Sequence, residues 1–178
     1  MYKEIITFWF TELEPTQWWQ KESAFDQMIK SRFGDLHNQA IACELVDWRE
    51  SPLGSLAEII VLDQFSRNIY RDKAASFSSD SMALTLAQCA IAKGVDTQLS
   101  PEQRVFLYMP FMHSESKVIH KEAVKLFSAL GIENNINFEY KHKAIIDKFG
   151  RYPHRNDILG RVSTPDEIEF LKRPNSGF

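Results

Sequence analysis

Three short polar blocks carry the side chains in this chain that can do chemistry. The first, Asp63-Gln64-Phe65-Ser66-Arg67-Asn68-Ile69-Tyr70-Arg71, sets a carboxylate, two amides and two guanidinium groups close together. The second, His113-Ser114-Glu115, puts an imidazole next to a hydroxyl and a carboxylate. The third, Phe149–Arg161, holds Arg151, Tyr152, His154, Arg155, Asn156 and Arg161 around Pro153. A guanidinium is a planar fork that matches a carboxylate or phosphate bidentately. An imidazole beside it can act as general acid or base near neutral pH. The blocks therefore suggest a small anion held by Asp63, Gln64, Arg67, Asn68, Arg151, Arg155 and Asn156, with His113 and His154 as candidate catalytic groups.

Each block also has a plainer reading. Asp63 and Arg67 are spaced to form an ion pair across one helical turn. Arginines in loops tie down the carbonyls left open at helix C-termini. Metal binding is disfavoured, because His113 with Glu115 and His142 with His154 lack the His-Glu-x-x-His spacing of a zinc site. Ser114 and His113 are adjacent, so their side chains diverge on a helix and do not form a nucleophile–base pair. The seven glycines are scattered, with no phosphate-cradling loop or dinucleotide fingerprint. No cofactor is expected.

Charge narrows the partner. Residues 1–66 carry five lysines and arginines against eleven carboxylates, whereas residues 141–161 carry six against two. A local positive field in an acidic chain suits a small anion or an acidic peptide. Nucleic acid is not expected, since duplex binders spread basic residues over a whole face. The longest apolar run near the middle is Ile59–Leu62, and the first ten residues have neither a basic head nor a long apolar core, so no membrane span or leader is expected. Cys43 and Cys89 lack metal-ligand spacing and are expected as small buried hydrophobes in a reducing cytoplasm.

The elements that must position these blocks are helical. Apolar residues recur at helical spacing and no segment alternates with period two. The spacing predicts helices over Lys3–Glu12, Glu22–Glu44 with Gly34 as a weak point, and Gly54–Arg67 as the most apolar and central. Asp80 is the expected N-cap of a helix to Lys93. Ser100-Pro101-Glu102 opens a helix that Pro110 should break or kink. Helices follow from Ser116 to Leu130, from about Asn134 to Phe149, and from a Thr164–Glu167 capping box to Leu171. Trp18 and Trp19 are expected to cap one end of the core. About eight helices with short connections make a single all-α domain over 1–178, as stacked antiparallel hairpins.

The stretches Phe8-Trp9-Phe10, Trp18-Trp19, Leu62–Arg71, Tyr108–Glu115 and Phe149–Arg161 resemble a bacterial family known as domain of unknown function nine two four. The resemblance runs from Phe8 to Phe178 and implies a tetratricopeptide-like helical fold, with no activity and no catalytic residues to carry over. Ser66 departs from it, standing where similar sequences usually have proline, which should soften the helix end. Two functions compete. One is a cytoplasmic protein with an arginine- and histidine-lined pocket for a small anion, with acid–base turnover through His113 or His154. The other is a tetratricopeptide-like scaffold gripping an acidic peptide or protein without catalysis. A closed pocket would favour the first and an open groove the second.

Overall fold

The computed structural model of the chain describes residues 1–174, 176 and 177; Asn175 and Phe178, in the Pro174–Phe178 stretch that follows the last expected helix as a tail, lie outside them. All regular structure among the described residues is helical. The α-helices are α1 Tyr2–Thr7, α2 Ser23–Ile41, α3 Pro52–Ile60, α4 Ser66–Ile69, α5 Asp80–Ala92, α6 Pro101–Met112, α7 Lys117–Leu130, α8 Glu133–Phe149 and α9 Pro165–Leu171. A π-helical turn, Val61–Phe65, joins α3 and α4 into one rod, and another, Phe8–Glu12, extends α1. No helix among the described residues is long and apolar enough to cross a membrane.

Two compact units are distinguished, one of residues 1–71 and 75–110, the other of 72–74 and 111 onward. In the first, the α3–α4 rod is the centre, packing on α1, α2 and α5. Every residue from Gly54 to Ser66 is buried, as its near-continuous apolar sequence requires. Around Phe65 gather Phe8 at 6.0 Å, Trp9 at 5.6 Å and Phe33 at 5.1 Å between ring centroids. The two π turns thus deliver their aromatic residues to one cluster. Gly54 lets the rod touch the turn before it, since a Cβ there would lie 2.1 Å from the Trp48 carbonyl oxygen.

In the second unit α7 and α8 pack as a hairpin. Ser116 caps α7 by accepting from Ile119 N, and Gly150 ends α8 in the left-handed region at φ +72°. The polar loop then turns inward at Tyr152 and makes a short 3-10 turn, Pro153–Arg155. Tyr152 joins Ile145 and Ile146 in a core flanked by Phe149 and Phe170. The Thr164–Glu167 capping box opens α9 as expected.

Several expectations need correction. Pro110 does not break α6, which continues to Met112; in the last turn the ring removes only one hydrogen bond. Ser66 lies inside the rod, where its hydroxyl donates to the Leu62 carbonyl one turn back at 2.6 Å. Ser79, not Asp80, is the N-cap of α5, while Asp80 turns its carboxylate to Arg67. Trp18 does bond back to the core, donating to the Trp9 carbonyl, but Trp19 is 56% exposed, lying flat on Phe106. Cys43 and Cys89 are both exposed: Cys89 is on the outer side of α5, whose inner face is Ala83, Ala87 and Ala90, and Cys43 occupies a turn at φ +60°.

Candidate functional site

In the first unit the block on the central rod is built into an ion-pair network. Asp63, 1% exposed, lies 3.1 Å from Arg67 Nη1 and accepts from Gln64 Nε2 at 2.5 Å. Arg67 also reaches Asp80 at 3.0 Å and donates to the Asp63 carbonyl. Asn68 and Arg71 both donate to Asp26 of α2. Burial works against the Asp26 charge, and the bonds from Arg71 and Asn68 outweigh it, holding the carboxyl below its ordinary range. His37 sits behind this block, 2.8 Å from Ser66 Oγ, and burial pushes its imidazole down. Since the Ser66 hydrogen goes to Leu62, His37 must donate from Nε2, which leaves Nδ1 a buried acceptor with no partner.

In the second unit the arginine loop is held by carboxylates from neighbouring segments. Arg151 forks onto Glu167 at 2.7 and 2.8 Å and donates to the Val162 carbonyl. Glu167 is 2% exposed, and Arg151, helped by the Thr164 backbone, holds its carboxyl down at about 2. Asn156, fully buried, donates to Ser163 and Glu167 and accepts from Arg161. Arg161 forks onto Glu115 at 2.6 and 2.9 Å, and Glu115 also accepts the Tyr152 N–H. Burial raises the cost of the Glu115 charge, yet Arg161, the Tyr152 amide and the field of Arg155 together hold its carboxyl below the usual range.

The ring of Tyr152 is the meeting point of the remaining groups. Arg155 lies over its face at 4.7 Å and donates to the His113 carbonyl at 3.0 Å. His154, His142 and His120 lie 5.5, 5.8 and 6.3 Å from the ring centroid. Three of the five histidines thus gather at this ring, and burial, opposed by the bond to the Phe138 carbonyl, drives His142 down to about 3 with further pressure from His113, His120 and His154. With its imidazole held that low His142 is neutral, and because Nδ1 donates to the Phe138 carbonyl the lone pair is on Nε2. His113 and His154 are half-buried, and Arg155 is 6% exposed. Beside this cluster an open cleft of about 560 Å³ is lined by Lys148, Phe149, Arg151, Thr164, Asp166 and Glu167.

Of the residues the sequence singles out, His154 and Arg155 come together at Tyr152, and the His113 carbonyl receives Arg155. Arg151 and Asn156 join the ties of the same loop, and Asp63, Gln64, Arg67 and Asn68 share the network of the first unit. No group of three or more His, Cys, Asp or Glu among the described residues has metal-binding geometry. Sequence reasoning missed His120, Glu139 and the double duty of Glu167. His120 and Glu139 stand alone on amphipathic helices, and only the pairing of α7 with α8 makes them neighbours.

A family described as bacterial protein of unknown function, DUF924, matches residues 5–175. A solved structure of a protein of unknown function from Agrobacterium tumefaciens is similar over 96% of both chains, with 38% identity and a TM-score of 0.92. No curated protein matches.

Proposed function

We propose, starting from the premise that the chain belongs to the DUF924 family of bacterial proteins of unknown function, that its second unit binds a small anion, a carboxylate or a phosphate, beside Tyr152. One observation carries this reading: Glu115 lies in the field of two guanidinium groups, Arg161 bonded to it and Arg155 near it, with half-buried imidazoles alongside. Two guanidinium groups against one carboxylate leave a net positive charge, which favours an incoming anion on the Arg155 side, and partial burial strengthens each hydrogen bond to it. In this reading His113, His154 and Arg155 touch the ligand. Arg151 and Asn156 shape the loop, and Asp63, Gln64, Arg67 and Asn68 hold the first unit together. Acid–base turnover would run through His113 or His154, whereas His142, driven down to about 3, stays neutral.

The test is calorimetric titration with inorganic phosphate and with acetate. Arg155→Ala should weaken binding by on the order of 30- to 150-fold, the loss of a charge-assisted hydrogen bond worth about 2–3 kcal/mol. Lys172→Ala, on the exposed end of α9, should leave it unchanged. Arg155→Lys keeps the charge and guards against a folding defect: wild-type stability with lost affinity supports the site. Unaltered binding by folded Arg155→Ala sinks it.

A second reading has its own support. The cleft near the loop is open, and Lys148 at its rim lies 4.8 Å from the Phe149 ring centroid and makes no ion pair among the described residues. An acidic peptide could lie there without any catalysis, as on a helical scaffold. Loss of acidic-peptide binding in Lys148→Ala, with phosphate binding intact, would favour this reading over the first.

A further inference from the structure

A hydrogen-bonded chain runs through the interior of the second unit, from Glu139 on α8 to His120 on α7 and on to the carbonyl of Ser114 in the loop before α7. Glu139 and His120 are both 0% exposed. Glu139 Oε1 lies 2.8 Å from His120 Nδ1, and His120 Nε2 lies 2.8 Å from the Ser114 carbonyl oxygen. The Tyr152 hydroxyl is 3.2 Å from the same Nε2 and 2.5 Å from the Met112 carbonyl.

The acceptors decide where the protons sit. A carbonyl only accepts, so Nε2 must carry a hydrogen for Ser114. The single hydroxyl hydrogen of Tyr152 goes to Met112, the shorter contact, and its oxygen faces His120 as an acceptor. One proton is then left to fill the contact between Nδ1 and Oε1. On nitrogen it makes a buried imidazolium–carboxylate pair; on oxygen it makes two neutral groups. Glu139 Oε2 discriminates between them, being buried with no hydrogen-bond donor. A carboxylate oxygen left bare in a dry interior costs far more than the carbonyl oxygen of a neutral acid. Burial pushes the Glu139 carboxyl up, against the bond from His120. Few other charges face the pair. Lys143, on the same helix as Glu139, is paired with Asp147, which is exposed and also feels His120, so the two opposite charges offset at the pair; His142 and Tyr152 flank the imidazole and are neutral.

We propose that Glu139 is a positioning residue that works as a neutral acid. It gives its hydrogen bond to His120 Nδ1, which makes His120 an obligate Nε2–H donor. That donor holds the Ser114 carbonyl and so sets the turn carrying His113 and Glu115. From this turn Glu115 receives Arg161 and the Tyr152 N–H, and the His113 carbonyl receives Arg155. The effect on ligand affinity rests on the anion site proposed above; the proton arrangement stands without it.

The experiment uses the full chain and two substitutions. Glu139→Gln keeps the shape of the acid and offers an amide N–H to Nδ1, whereas Glu139→Ala removes the donor. Nitrogen-15 spectra of the histidines near neutral pH should show His120 protonated on Nε2 only, in the wild type and in Glu139→Gln. Backbone amide signals of residues 113–116 should hold in Glu139→Gln and shift in Glu139→Ala. Inorganic phosphate should bind Glu139→Gln within about twofold of wild type and Glu139→Ala at least about tenfold more weakly. A doubly protonated His120 in the wild type overturns the proposal. So does a Glu139→Gln variant whose 113–116 amides move as much as those of Glu139→Ala. If Glu139→Ala does not fold, the wild-type and Glu139→Gln spectra still decide. Should the wild type bind no phosphate, the anion site falls while the imidazole and amide signals still judge Glu139.

Discussion

Arg151, Arg161 and Arg71 each lay a guanidinium fork on a carboxylate from a different segment, Glu167, Glu115 and Asp26. Pairs of this kind carry unequal weight. Where the acid is exposed the pair contributes little; where it is buried, removing one partner leaves a charge or polar group without an answer. Glu167 is the buried case, and it also accepts the Thr164 N–H of the capping box. Glu167→Gln should therefore destabilise the chain by about 2–4 kcal/mol near neutral pH, measured by urea titration. The sign with pH follows from its depressed carboxyl: the contribution is present above the ordinary value of 4.5 and is lost as pH falls through about 2. Wild type and variant should converge in strong acid, and an undiminished gap there would show that packing, not charge, supplies the difference. Only half of this role could be read in the sequence. The capping box is local and visible, but the arginine it serves is 16 residues away and reaches Glu167 only through the fold of the loop.

Helix ends carrying a dedicated residue were legible: Ser116 and Thr164 at starts, Gly131 and Gly150 at ends. The π turns were not, since a change from i+4 to i+5 bonding leaves no mark in residue types. The expected Gly54–Arg67 helix is nonetheless a fair outline of the α3–α4 rod. Facing was harder than existence: the cysteines were placed inside by their type, and the outer face of α5 and a left-handed turn put them outside. The two helical glycines separate these issues and should respond with opposite signs. A Cβ on Gly54 would meet the Trp48 carbonyl oxygen at 2.1 Å, a backbone atom that cannot swing aside. Gly54→Ala should cost about 3 kcal/mol or more. Gly34, mid-α2, has nothing within 4 Å of its Cβ position, so Gly34→Ala should stabilise by about 0.5–1 kcal/mol through helix propensity alone. Thermal melts of both variants check the pair, and a destabilising Gly34→Ala would mean that α2 uses its glycine for something other than space.

All three polar blocks lie at helix ends or in loops, which is why the sequence exposed them; what it could not expose was which units they would join. Asp63–Arg71 is absorbed into the first unit and His113–Glu115 and Arg151–Arg161 into the second, while His120 and Glu139 carried no local signal at all. The stability of the whole chain should mirror the same division of labour. From Leu56 to Phe65 no residue is more than 7% exposed, and the rod packs on three other helices of its unit. Its amides can exchange with solvent only when that unit opens as a whole. α9, seven residues long with Pro165, Asp166, Ile168 and Glu169 exposed, can open alone. Native-state hydrogen exchange with added denaturant should show steep denaturant dependence and the slowest rates for Leu56–Phe65, and fast, denaturant-independent exchange for α9. The decisive amides are those of Val61–Phe65. A π turn has poorer hydrogen-bond geometry than the α-helix around it, yet here it carries Leu62 and Phe65 into the aromatic cluster. If packing governs, these amides exchange with Leu56–Ile60 in one cooperative event. If they exchange ahead of both flanks, the turn is a hinge within the rod, and the network of Asp63, Arg67 and Asp80 must be read as the latch that closes it.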